Sequence, residues 1–386
     1  MGLTRGFCIH ISQAYGKKDY HLVNRGFFVA SVLSLIVGAM ISIVGSLAIR
    51  DFLILMHTPG EILEQSLDYI KVILLGFVIT VLNNLFMSVL QSLGDSSTPF
   101  WALLVSSVTN IGLDCVFVLT LKWGVQGAAA ATVLSQVFSF AICAAGLKRL
   151  KFVSILDGSK SKNARLTVRM LKTGLPVGIM SMVTAVGGMI LQFFVNDLGA
   201  SAVAAYAAST KIRSVIGEFS NALGMTFMTF VGQNYGAQKY DRIKAGVRMG
   251  VLLSILIHIP LSAVEIFGGK RIASLMVTDP PVLELCRQYL LIVGIFVFFL
   301  GFLMVFRNCI QGMGNTWIPM LSGGLEVFSR LIFGYWLGRH SFMGIAAAEA
   351  SAWISVSIML GSSFFILFRK VLRTQTPENT TDTKNI

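Results

Sequence analysis

Apolar residues in this chain come in long unbroken runs, not in alternation with polar ones. Runs near the length of a spanning helix, about 20 mostly apolar residues, cover 26–49, 69–93, 98–121, 124–147, 173–196, 203–231, 247–267, 287–310, 317–338 and 342–368. Several of them, Gly26–Ile49 and Trp123–Leu147 for example, carry no charge from end to end. Barrel strands would be shorter and would alternate, so the runs predict helices. Pro99, Pro176 and Pro319 fall near predicted helix starts, where a missing N–H costs least.

Composition turns this pattern into an environment. The 386 residues are 55% hydrophobic and 13% charged, against about one quarter charged in soluble domains. Mean hydropathy is +0.75. The expected class is an all-α polytopic membrane protein. The net charge of +13 would suggest nucleic acid if it were spread evenly, but it is not. Lys17, Lys18 and Arg25 share one loop, and 148–172 holds eight bases against Asp157. Lys239, Arg242, Lys244 and Arg248 mark a third region, and Arg369, Lys370 and Arg373 follow the last run. Counting spans puts all four on one side, opposite Asp51, Glu61, Glu64, Asp68, Asp197, Asp279 and Glu284. Loops rich in Lys and Arg stay in the cytoplasm. The charge therefore reports topology and contact with anionic lipid, and no nucleic-acid partner is expected. The five cysteines are far apart and read as packing residues. No signal-peptide pattern occurs in 1–15.

An internal repeat sets the architecture. QAYGKKDY at 13–20 returns as QNYGAQKY at 233–240. The same offset of 220 pairs Thr58 with Thr278, Tyr69 with Tyr289, Phe86 with Phe306 and Gln91 with Gln311. It also pairs Gly94 with Gly314, Pro99 with Pro319, Gly124 with Gly344 and Ala128 with Ala348. The halves start on the same side of the membrane, a parallel repeat of the kind found in transporters. Two pseudo-symmetric bundles are expected. The expected divisions are an N-terminal bundle over 1–148, a cytoplasmic linker over 149–167, a C-terminal six-helix bundle over 168–370 and a disordered cytoplasmic tail over 371–386. Span 173–196 has no partner in the first copy. The first bundle is therefore expected to be incomplete, by about one and a half helices.

Several segments resemble one family. ISQAYGKKDY, SLGDSSTP, the N-x-x-x-D of Asn110–Asp114, WGVQGAAAAT, GLPVGI and VGQNYGAQKY are similar to multidrug and toxic compound extrusion (MATE) antiporter sequence. The resemblance spans nearly the whole chain. It implies two six-helix bundles around a cavity that opens alternately to each side. It also implies export of amphipathic, often cationic organic compounds in exchange for Na⁺ or H⁺. No cofactor beyond that coupling ion is expected. The chain is expected to act as a monomer in the cell membrane, with its C-terminus in the cytoplasm.

The polar residues inside the runs supply candidate chemistry. Asp114 lies mid-span, where an unpaired carboxylate costs about 3 kcal/mol on insertion scales. Asn110 is one turn earlier on the same face, and Thr132 is on the next helix. Carboxylate, amide and hydroxyl oxygens suit a hard cation, and the acid can also carry a proton. The alternative is that Asp114 only hydrogen-bonds neighbouring helices. The spacing resembles the cation site of the MATE subclass with an Asp–Asn–Asp–Thr cluster, whose other Asp comes from the first helix, one of those expected to be missing here. In the second copy the equivalent residues are Arg330, Gly334 and Ala352, so cation handling is expected to be asymmetric. Glu326 and Arg330 are spaced for a structural ion pair. Glu218 either attracts a cationic compound or neutralises Lys211 or Arg213. Gln192 is a cavity candidate, with interhelical hydrogen bonding as its other reading. Another MATE subclass has a Glu where this chain has Thr184, so that subclass's site is not implied. Apart from Na⁺ at Asp114, no metal site is expected.

Other functions would make different demands on these residues. A membrane enzyme would need a nucleophile–base or metal cluster. The histidines His10, His21, His57, His258 and His340 are scattered, and H-E-x-x-H is absent. A flippase of lipid-linked precursors would want a larger basic cavity. A non-functional truncated transporter is the third reading of the same residues.

Overall fold

The computed structural model describes residues 1–55, 59–154, 157 and 163–373, and among them there are helices and no strands. The helices are α1 Gly2–Gly16, α2 Tyr20–Leu55, α3 Gly60–Leu75, α4 Phe77–Ser92, α5 Ser97–Asp114, α6 Gly124–Arg149 and α7 Ala164–Asn196. They continue as α8 Ala200–Gly236, α9 Tyr240–Ala263, α10 Gly269–Ala273, α11 Pro280–Gly312, α12 Trp317–Phe333 and α13 Phe342–Arg373. Wider π turns extend α5 over Cys115–Thr120, join α9 to α10 over Val264–Gly268, and extend α12 over Gly334–Gly338.

Every run expected to span is helical, with two differences. The 69–93 run is not one straight helix, because α3 and α4 meet at a 49° bend. At the bend, Gly76 lies so close to Val133 of α6 that no side chain fits. The Leu74 carbonyl there accepts a hydrogen bond from Ser42 Oγ of α2 at 2.7 Å. This is the local repair a broken helix needs in a bilayer. Secondly, among the described residues seven helices are long and apolar enough to cross a membrane, or eight if the bent pair is one span. Helix α8 and the α12 segment are not among them. Helix α8 carries Lys211, Arg213 and Glu218, and α12 carries Glu326 and Arg330.

The chain divides into two compact units, Met1–Gly178 and Ile179–Ile386. The first turns of α7 belong with the first unit for a steric reason. A Cβ at Gly6 would sit 2.6 Å from the Gly174 Cα, and Thr173 Oγ1 donates to the Gly6 carbonyl at 3.1 Å. Helix α7 begins at Ala164, inside the stretch expected to be linker, and α13 runs on to Arg373. The basic residues Lys160 and Lys162, the Thr58 pairing and the tail from Thr374 lie outside the described residues.

In the first unit α4, α5 and α6 are tied together by polar side chains. Asn83 is 3% exposed; its amide donates to Gln136 Oε1 at 2.7 Å and its carbonyl accepts from Ser139 Oγ at 3.0 Å. Ser106 Oγ donates to the Ser135 carbonyl at 2.9 Å, joining α5 to α6. In the second unit the buried His258 joins α9 to α8 through Ser220, at 2.7 Å.

Candidate functional site

Asp114 is the last α-helical residue before the π turn of α5, and Asn110 stands one turn earlier. Both side chains are half-buried. Among the described residues, the Asp114 Oδ1 and Asn110 Nδ2 atoms are buried and have no hydrogen-bond partner. Thr132 sits on α6, the helix packed against α5. Its hydroxyl donates to the Ala128 carbonyl of its own helix at 3.0 Å, which leaves an oxygen lone pair to accept or ligate. The structure thus places the three residues on two adjoining helices and does not join Asp114 Oδ1 to Thr132 by a hydrogen bond. An orphaned carboxylate oxygen in an apolar helix is costly unless something binds it.

The second unit treats charge differently. Arg307 Nη2 lies 2.9 Å from Glu326 Oε2, and Arg330 Nη2 lies 3.0 Å from Glu326 Oε1. Arg330 also lies 3.6 Å from Glu349, and Arg213 lies 3.2 Å from the same carboxylate. The Tyr289 hydroxyl donates to Glu349. Five charged side chains from α8, α11, α12 and α13 therefore form one chain of ion pairs. Four of them are almost fully buried, while the Arg213 side chain is 24% exposed. Each pairing offsets desolvation that a lone charge would bear in full.

The fold and these two arrangements can be set beside known proteins. A family model described as MatE matches residues 1–116 and 176–336. The chain belongs to the MatE family. A Bacillus subtilis relative named "Probable multidrug resistance protein YoeA" is 27% identical over 368 residues, covering 90% of this MatE chain and 80% of that protein. A Thermotoga maritima relative named "Probable multidrug resistance protein NorM" is 23% identical over 374 residues, covering 95% and 79%. The solved structure described as "Crystal structure of MATE in the bent conformation" matches at a TM-score of 0.88 with 22% identity, covering 97% of this chain and 84% of that one. The fold is shared with that transporter, and MatE proteins are membrane transporters, not enzymes.

Within this MatE chain the remaining candidates fall as follows. Glu326 and Arg330 are in contact, but as the middle of a longer chain and not as an isolated pair. Arg213 pairs with Glu349, not with Glu218 on its own helix. Glu218 is exposed and accepts from Asn221 Nδ2 at 3.2 Å. Gln192 bonds Asn196 Oδ1 at 2.8 Å, one turn along its own helix, where an interhelical bond was the alternative to a cavity role. Sequence reasoning missed Glu265, Tyr289, Arg307 and Glu349. The signal was present: Glu349 is the one charge in its apolar run, Glu265 and Arg307 share theirs only with an arginine at its start, and such charges mark pairs or pathways.

Proposed function

We propose that this chain is a secondary active transporter that exports amphipathic, often cationic organic compounds in exchange for Na⁺ or H⁺ by alternating access. The observation that carries the reading is Asp114. Its Oδ1 is buried without a partner in a membrane helix, beside the equally unpartnered Asn110 amide. A group kept at that cost is a natural place for a transported cation, with Thr132 supplying a further oxygen from α6. The relatives' names support multidrug export as the activity. Glu218 is the first residue to attract a cationic compound. A charged side chain left exposed on a helix in this apolar bundle is tolerable facing water and costly facing lipid. Arg213, Arg307 and Arg330 are already paired with glutamates, which weighs against a pyrophosphate-binding flippase. The protein acts as a monomer in the cell membrane, its basic loops and C-terminal tail facing the cytoplasm and anionic lipid.

Asp114→Asn is the test of the site. In vesicles with an imposed Na⁺ or H⁺ gradient, gradient-driven efflux should be lost while expression and fold are retained. Undiminished efflux would remove Asp114 from the mechanism. Orientation is tested in intact cells by single-cysteine labelling at Ser159 or Thr380 in a cysteine-free background. Reaction with an impermeant reagent added outside would reverse the topology.

A further inference from the structure

Glu265 lies in the π turn Val264–Gly268, inside the apolar Tyr240–Ala273 segment, and is 1% exposed. Among the described residues neither of its carboxylate oxygens has a hydrogen-bond partner. The turn packs on α11 at Gly294, where an added Cβ would approach the Glu265 Cβ to 3.0 Å. The nearby hydroxyl of Ser262 is committed to the Gly294 carbonyl at 2.7 Å.

The charged and titratable groups around Glu265 are few. Arg213 of α8 and Glu349 of α13 act on it electrostatically. On α11, Tyr289 is committed to Glu349 and the Cys286 thiol to the Ala205 carbonyl. On its own helix His258 is held by Ser220 and Ser254. Lys270 and Arg271 of α10 are exposed, and Lys270 pairs with Glu284.

We infer that Glu265 is a proton-binding site of the second unit, distinct from Asp114, which alternates between a neutral acid and a carboxylate that balances the arginine cluster. As a neutral acid, Glu265 needs no counter-charge, which suits its apolar surroundings. As a carboxylate it has a counter-charge waiting. Among the described residues Arg213, Arg307 and Arg330 pair with Glu326 and Glu349 alone, a surplus of one positive charge that an ionised Glu265 cancels. Both states are therefore accommodated by the same packing, as a cycling proton site requires. A hard metal cation fits poorly. It wants about six oxygens, and Glu265 brings two, within the electrostatic influence of the Arg213 positive charge.

The experiment is infrared difference spectroscopy of the full chain in lipid vesicles, stepped from acid to alkaline pH. It reads the carbonyl stretch of protonated carboxylic acids. The parent chain should show a titrating band that persists in Asp114→Asn, shifts in Glu265→Asp and is lost in Glu265→Gln. The Gln side chain mimics the neutral acid in shape, so that variant should fold. If it does not, the Asp variant alone carries the test through the band's shift. A titrating band that is the same in the parent and in every folded Glu265 variant overturns the inference, as does the absence of any titrating band in the parent. The efflux test of Asp114 concerns the first unit only, so either reading can fail without the other.

Discussion

Lys18 and Gln238 hold the same left-handed backbone, with φ of 59° and 58°, and Gly94 and Gly314 do so with φ of 95° and 91°. Each pair is related by the repeat offset of 220. The hydrogen bonds around them repeat too. The Asp19 and Lys239 amides donate to the Ala14 and Asn234 carbonyls at 3.1 and 2.8 Å, and Tyr15–Tyr20 and Tyr235–Tyr240 make edge contacts at 6.3 and 5.9 Å. Asp95 and Asn315 each accept an amide three residues on, at 3.0 and 3.2 Å. The interiors have diverged. The first copy has Asn110 and Asp114 with unpartnered atoms, and its ion pair Arg50–Glu64 is 65% and 67% exposed. The second copy buries a chain of five charges. Turns are constrained by backbone geometry that few residues satisfy. Helix faces accept any chemistry that settles its own burial cost, so one frame can carry two kinds of polar interior.

The helix irregularities sharpen the contrast. Both copies have a π turn after the fifth helix of the repeat, at Cys115–Thr120 and Gly334–Gly338. Asp114 precedes the first, and its equivalent Gly334 opens the second. The Gly76 bend belongs to the first copy alone, since α11 runs unbroken from Pro280 to Gly312. The π turn at Val264–Gly268 belongs to the second copy, since α2 runs through the equivalent residues. It carries Glu265, whose counterpart is Gly45.

The largest expected effect breaks the second interior. Glu349 is 1% exposed and is shared by Arg213, Arg330 and Tyr289. Glu349→Gln leaves two guanidinium groups under-compensated and should cost about 3–5 kcal/mol. A lower thermal midpoint in detergent would report it. The matching change in the first copy, Glu64→Gln, acts on an exposed pair and should cost less than about 1 kcal/mol. Equal losses would mean that burial does not separate the two interiors.

Much of this frame was legible in the chain and much of the site was not. Each apolar run became helix because run length depends on residues close in sequence. The bend at Gly76 was hidden because the run stays apolar through it, from Leu74 to Val78. Inserting a π turn alters hydrogen bonding without altering hydropathy, so the three π turns left no trace. Glu326 and Arg330 could be paired on sight because they are one helical turn apart. Arg213, Arg307 and Glu349 lie on three other helices, and only packing brings them to that pair.

A smaller effect tests whether the turns are equivalent. Gly94→Ala and Gly314→Ala each place a Cβ on a left-handed residue and should cost about 1–2 kcal/mol. The two losses should agree within about 0.5 kcal/mol and should add in the double variant, as they do for independent sites. Thermal unfolding of both single variants and the double variant measures this. A cost at one turn only would show that the repeat is geometric without being energetic.

The smallest effect has the opposite sign. Lys18 and Gln238 occupy left-handed backbone without being glycine, a conformation that costs an L side chain about 1–2 kcal/mol. Replacing either with Gly removes that strain. It also loosens the unfolded chain, which returns about 0.5–1 kcal/mol of the gain. Lys18→Gly and Gln238→Gly should therefore each stabilise by less than about 1 kcal/mol, and by the same amount. Lys18 adds one complication, since its removal also takes a positive charge from a basic loop. Lys18→Asn separates the two contributions. Asn tolerates the left-handed region better than most residues and lacks the charge, so a gain shared by the Gly and Asn variants belongs to the backbone. If Gln238→Gly stabilises and both Lys18 variants destabilise, the first turn draws more from its lysine than its backbone angles reveal, and the two turns are alike in shape only.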